Sequence, residues 1–246
     1  MKIFAVGMNY AQHIQELDGA AYKPAQPVIF LKPDSSLLKD GKPFFVPDHL
    51  GQIDYEAELV VRICRLGKSI PERFAHRYYD AVTVGIDFTA RDLQRQARAA
   101  GHPWTLCKGF DGAAAIGEFL PLSSLSEELR VKSEEFPTGV PKGSGEGMAA
   151  ANSSKATGRR ESGNLFTLHS SLSFHLDLNG QTVQTGHAAD MLFSVDQLIS
   201  YISQFFTLKT GDLLYTGTPV GVGPVAINDH LEGWIGDRKV LDLRCK

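Results

Sequence analysis

The residues best suited to chemistry in this sequence are acids set among apolar neighbours. In Asp54-Tyr55-Glu56-Ala57-Glu58, Glu56 and Glu58 stand two apart. On an extended strand that spacing sets two carboxylates side by side, about 7 Å apart at their alpha carbons. They repel each other unless something positive lies between them. A hard dication such as Mg2+ relieves the repulsion, because it takes carboxylate oxygens together with water and substrate oxygens. The plainer reading is the solvated polar face of an edge strand. Asp87 interrupts Val82-Thr83-Val84-Gly85-Ile86-Asp87-Phe88, where an unpaired charge is costly to bury. As a third ligand it completes a site with positions open to water and substrate. Otherwise it is a strand-end acid that caps the turn at Thr89 to Asp92.

Three further groups are candidates. His13 and Glu16 lie three apart, so on a helix they share a face, and a carboxylate can orient an imidazole that activates water. The alternative is an exposed pair worth a few tenths of a kcal/mol. Lys108 follows the apolar stretch Trp104 to Cys107 and is read as a half-buried cation facing a substrate carboxylate or enolate, or as an ordinary surface lysine. The loop Thr216-Gly217-Thr218-Pro219-Val220-Gly221-Val222-Gly223-Pro224 has no Lys-Ser/Thr ending and no helix after it, which excludes a nucleotide cradle. It is a tight turn, or a loop whose Thr218 hydroxyl and amides hold a small carboxylate. Cys64, Cys107 and Cys245 show no paired spacing and no neighbouring base, so metal ligands must be oxygens.

These groups need elements to hold them. Residues 3–7 read as a strand, then a helix capped by Asn9, with Gln12 three residues on, carries Tyr10, His13 and Glu16. The proline-closed runs 27–33 and 44–47 suit edge strands. Residues 53–63 and 81–88 alternate as strands, 72–80 and 92–100 suit helices, and Gly101 stops the second. Residues 168–178 alternate up to Asn179-Gly180, a hairpin signal leading into Gln181. Leu198, Ile199, Ile202 and Phe205 recur at helical spacing over 195–205. Residues 123–164 offer little to bury and read as a flexible insertion.

At 246 residues, 43% apolar and 22% charged, the chain suits one domain spanning 1–246. A net charge of -3 argues against nucleic acid. The absence of a signal-like start or a long apolar run argues against the membrane and for the cytoplasm.

In order along the chain, the blocks Gly7 to Glu16, Phe30-Leu31-Lys32-Pro33, Tyr55 to Leu59, Asp87 to Gln94, Pro103 to Asp111 and Thr216 to Gly223 resemble the fumarylacetoacetate hydrolase superfamily, in particular its short acylpyruvate hydrolase and oxaloacetate decarboxylase type. The resemblance implies an α+β, mainly β fold, a mixed sandwich-like roll with a few short helices, assembled as a homodimer. It implies that Glu56, Glu58 and Asp87 bind Mg2+ or Mn2+, and that His13 and Glu16 sit on a lid helix. Lys108 and Gln94 would line the site, and Arg91, Tyr10 and Thr218 would contact substrate. The activity implied is cleavage of a C–C bond in a small 2-keto acid through a metal-stabilised enolate. A 2-hydroxyhepta-2,4-diene-1,7-dioate isomerase/decarboxylase is the alternative within the enzyme class, and a catalytically silent binding protein the alternative outside it. The insertion at 123–164 departs from the short members.

Overall fold

Alternating apolar residues build three sheets in the computed structural model, which describes residues 1–18, 23–125 and 172–246. The first half of the chain contributes β1 (Ile3–Gly7), α1 (Ala11–Asp18), β2 (Val28–Lys32), β3 (Leu37–Leu38), β4 (Ile53–Tyr55), β5 (Ala57–Ile63), α2 (Glu72–Ala75), β6 (Tyr79–Asp87), β7 (Thr89–Ala90), α3 (Arg91–Ala100), α4 (Thr105–Lys108), β8 (Ala114–Ile116) and β9 (Leu120–Pro121). The second half contributes β10 (Ser173–Leu178), β11 (Gln181–His187), α5 (Val195–Phe205), β12 (Leu213–Tyr215), β13 (Gly223–Pro224), β14 (His230–Ile235) and β15 (Arg238–Arg244).

The longest sheet runs β2-β1-β12-β5-β6-β8-β3, with β9 also paired to β6. A smaller sheet, β11-β10-β14-β15, packs over β6. The layers meet closely at Gly233, where an added Cβ would lie 2.9 Å from Val84 Cγ1. Leu59, Val61, Val82 and Val84 from the long sheet share a core with Phe174, Leu176, Leu231 and Leu241, which α5 extends with Leu198, Ile199 and Ile202. The opposite face of the long sheet buries Ile3, Ala5, Val60 and Tyr215 in a second cluster. Each buried Val, Leu, Ile or Phe among them contributes about 1.5–3 kcal/mol. The mainly β roll with few short helices is therefore borne out.

Several local expectations change. The strand over 53–63 breaks at Glu56, because β4 pairs with β7 and β13 whereas β5 pairs with β6 and β12. Its acidic residues are buried, not solvated. The helix over 72–80 stops at Ala75, since Tyr79 already pairs with Ile63 along β6 against β5. Phe44 makes a single bridge to Cys245 in place of a strand. Asn9 does not cap α1: its amide donates to Phe193 O and Thr216 O, and its Oδ1 accepts from Phe193 N. The Asn179-Gly180 turn stands, with φ of 53° and 78° as a two-residue hairpin loop requires. The expected insertion falls almost wholly on residues 126–171, outside those described.

Candidate active site

The antiparallel ladder of β5 and β6 explains why three acids meet. Glu58 lies opposite Gly85, and Asp87 N donates to Glu56 O at 2.9 Å, so Glu56 faces Asp87 at the end of the ladder. Residues opposed across antiparallel strands point to the same side, and Glu58, two residues from Glu56, joins them. One carboxylate oxygen from each lies within 4.8 Å of the others. All three are buried, at 5%, 1% and 1% relative exposure.

Cations from other elements hold Glu56 and Asp87. Lys108, at the end of α4, donates to Glu56 Oε2 at 2.7 Å, Asp87 Oδ2 at 2.8 Å and Thr89 Oγ1 at 2.6 Å. Arg91, opening α3, donates to Asp54 at 2.7 Å, Glu56 at 2.8 Å and Gln94 Oε1 at 2.5 Å. Lys32, ending β2, lies 2.6 Å from Asp87 Oδ1 and donates to the carbonyls of Lys108 and Ala113. It thereby ties α4 to the acid that Lys108 serves.

The balance of burial and charge differs for each group. Burial alone would raise the Glu56 carboxyl, but Lys108, Arg91 and His13 outweigh it and hold it well below the usual carboxylate range. Burial raises Glu58 well above that range, and Asp87 adds to the effect against the opposing Gly217 amide. Burial opposes the charge of Lys108, yet Asp87 and Glu56 hold its ammonium above an ordinary lysine. Lys32 is lowered, chiefly by burial, with Asp87 opposing and Lys108 reinforcing the shift.

The Gly-rich loop after β12 proves to hold a carboxylate, but one belonging to the protein. Gly217 N donates to Glu58 Oε2 at 2.6 Å. Its φ of 101° suits glycine, and an added Cβ would lie 2.7 Å from Asn9 Cβ. The Thr218 hydroxyl donates to Ala57 O at 2.8 Å and accepts from Gln184 Nε2 at 2.9 Å. Gln184 Oε1 in turn accepts from Ala57 N.

The donor set suits a hard dication. It offers three buried carboxylates, one oxygen of each within 4.8 Å of the others, and hard carboxylate oxygens are the ligands such an ion takes. A second group, His230, Glu232 and Asp242, lies on β14 and β15. Unlike the first it is not buried, Asp242 being exposed, and Lys239 Nζ lies 2.9 Å from Glu232 and 2.8 Å from Asp242.

A cavity of about 30 Å3 opens on the first cluster. Glu56, Glu58, Asp87, His13, Gln94, Lys108 and Thr218 line it, so seven of the ten expected site residues converge. Phe30 and Trp104 supply an apolar wall. At about 10–15 Å3 of such space per water, the volume suits an ion and one or two waters. Arg91 and Tyr10 lie outside this lining. Arg91 is engaged with Asp54, Glu56 and Gln94, and Tyr10, whose hydroxyl donates to His187 O at 3.3 Å, lines an adjacent depression with Asp190. Glu16 falls in α1, its side chain outside those described.

Sequence reasoning missed Lys32, Asp54, Gln184 and Arg98. For Lys32 a signal existed: a lysine directly after four apolar residues and before Pro33. Nothing local marked Asp54 apart from Glu56, or Gln184 on its strand. Arg98 stands four residues after Gln94, the spacing of one helix face.

Comparison with known proteins agrees with this architecture. The chain is 36% identical to the mitochondrial oxaloacetate tautomerase of Arabidopsis thaliana, over 95% of this chain and 86% of that protein. It is 30% identical to the human mitochondrial oxaloacetate tautomerase, over the same shares. The structure of fumarylpyruvate hydrolase from Pseudomonas aeruginosa, in complex with Mn2+ and pyruvate, superposes with a TM-score of 0.77 at 29% identity, covering 100% of this chain and 89% of that one. That of 2-hydroxyhepta-2,4-diene-1,7-dioate isomerase from Mycobacterium marinum gives 0.69 at 26%, covering 99% and 73%. The model of the fumarylacetoacetate (FAA) hydrolase C-terminal family matches residues 2–246. The silent binding protein thus gives way, and the chain is an enzyme of the fumarylacetoacetate hydrolase family.

Proposed function

We propose that this enzyme cleaves a C–C bond beside a carbonyl in a small 2-keto acid, by acylpyruvate hydrolysis or oxaloacetate decarboxylation. The observation that carries this reading is the convergence of Glu56, Glu58 and Asp87 on one cavity that His13 and Lys108 also line. Those acids would hold Mg2+ or Mn2+, which when bound supplies Lewis-acid stabilisation of charge developing on a keto oxygen. Lys108 keeps Glu56 and Asp87 in place and puts an ammonium beside the same charge. His13 takes a proton from water at an imidazole nitrogen and so activates it toward the distal carbonyl of an acylpyruvate, with Glu16 one turn further along α1 to orient the ring. The Gln94 amide orients substrate oxygens, and Phe30 with Trp104 keeps bulk water from the reacting atoms.

The relatives named oxaloacetate tautomerase favour a second reading, in which the same residues move a proton between carbon and oxygen and no C–C bond breaks. The heptadiene-dioate isomerase neighbour favours a related proton shift on a longer diacid. The deciding experiment supplies oxaloacetate, acetylpyruvate and 2-hydroxyhepta-2,4-diene-1,7-dioate, with and without Mg2+ or Mn2+. Metal-dependent release of pyruvate supports cleavage, and loss of the enol absorbance without pyruvate supports tautomerisation. No metal-dependent change in any of the three would overturn both readings. The homodimer belongs to the same proposal, and a monomer by sedimentation would remove it.

A further inference from the structure

The cavity is asymmetric in charge. At its inner end lie three carboxylates, and the cations that serve them are engaged: Lys108 with Glu56 and Asp87, Arg91 with Asp54 and Glu56, and Lys32 with Asp87. Among the described lining residues, the positively charged groups other than Lys108 and the titratable His13 reduce to Arg98. Unlike Lys108, which is 3% exposed, Arg98 is exposed and so stands at the outer rim. It occupies the last turn of α3, one turn beyond Gln94, which lines the interior from the same helix face. That turn separates the two by about 6 Å, and Phe30 and Trp104 form the apolar wall of the same cavity. Because the enclosed space suits only an ion and one or two waters, a short chain chelated at the inner end by its keto acid would run outward past the apolar wall and present a second carboxylate to the outer guanidinium. A guanidinium fork suits that second carboxylate, which it can bind in bidentate fashion.

We propose that Arg98 is a specificity-determining residue that selects 2-keto diacids over 2-keto monoacids by binding the carboxylate remote from the Glu56, Glu58 and Asp87 cluster. The assignment rests on the keto-acid reading above. It is tested on the full chain supplied with Mn2+, with oxaloacetate as the diacid and acetylpyruvate as the monoacid, in wild type, Arg98→Gln, Arg98→Lys and the control Arg95→Gln. Arg95 pairs with Asp92 and does not line the cavity. If acetylpyruvate is not turned over, its inhibition constant against oxaloacetate serves as the monoacid readout.

Arg98→Gln is expected to raise KM for oxaloacetate about tenfold, the factor for one charge-assisted hydrogen bond at an exposed position. Its kcat should stay within about twofold, its constant for acetylpyruvate should not move, and Arg98→Lys should fall between, by the same arithmetic. Arg95→Gln should change neither. Equal shifts for both compounds, or none for either, overturn the role of Arg98 while leaving keto-acid chemistry in place. Wild-type protein inert toward both compounds overturns the keto-acid reading itself, and this assignment with it.

Discussion

Replacing Lys108 by Met separates the structural work of this lysine from its chemical work. The side chain is 3% exposed and makes three contacts between 2.6 and 2.8 Å, two of them to carboxylates. Breaking a buried pair on one side costs about 3–5 kcal/mol, because a desolvated charge is left behind. Here Arg91 still bonds Glu56 and Lys32 still touches Asp87, so the lower end applies, about 3 kcal/mol. For a chain of this size that lowers the melting temperature by roughly 6–12 °C. The measurement is urea and thermal unfolding of chelator-treated protein, followed by circular dichroism. The sign of the pH dependence gives a second check. Lys108 is held above an ordinary lysine, so its stabilisation is complete at neutral pH and fades only as pH rises beyond the ordinary lysine range. The gap between wild type and Lys108→Met should therefore stay constant from about pH 6 to 9. A loss below about 1 kcal/mol, or a gap that closes across that range, would refute the buried pairing.

Other consequences concern the ligand cluster and the rest of the fold. Glu58→Gln should weaken Mn2+ binding by more than about 100-fold in calorimetry and abolish metal-dependent turnover. Because the Glu58 carboxyl is already pushed toward its neutral form, the amide should leave metal-free stability within about 1 kcal/mol. Unchanged affinity would remove Glu58 from the site. Gly217→Ala adds a Cβ that meets Asn9 at 2.7 Å and strains a backbone at φ 101°, at a cost of about 1–3 kcal/mol. It should also weaken Mn2+ binding by about tenfold by shifting the amide that holds Glu58. Equal affinity in the variant would show that this amide does not orient the ligand. Burial, with Asp229 adding to it, pushes the Cys245 thiol up to about 12 from 9.0. Its contribution is thus present below about pH 9 and lost as pH rises toward 12, so the alkaline fall in stability should be shallower in Cys245→Ala. Parallel pH profiles for the two proteins would contradict this.

What the sequence makes legible here is whatever depends on short spacings. Glu56 and Glu58 share a side because strand side chains alternate, and α5 follows from the helical period of Leu198, Ile199 and Ile202. The partner of an acid is a different matter, because it depends on register. Asp87 meets Glu56 only because β5 and β6 pair with Ala57 against Ile86, and no local pattern sets that alignment. The same holds more strongly for the supporting groups: Gln184 reaches Ala57 across 127 residues, Lys108 reaches Glu56 across 52, and Lys32 donates to the Lys108 carbonyl across 76. Arg91 shows how much of a residue's engagement lies beyond a local pattern. The resemblance implies contact with a substrate anion, and folding also sets carboxylates of its own chain, Asp54 and Glu56, within reach of its guanidinium. An enclosed cluster of acids must be compensated by cations from elsewhere in the fold, or the chain would not bury it. In such a site an interior arginine or lysine is therefore first a counter-ion to the protein's own ligands. Recognition of substrate charge falls to cations nearer the rim, which is where Arg98 stands.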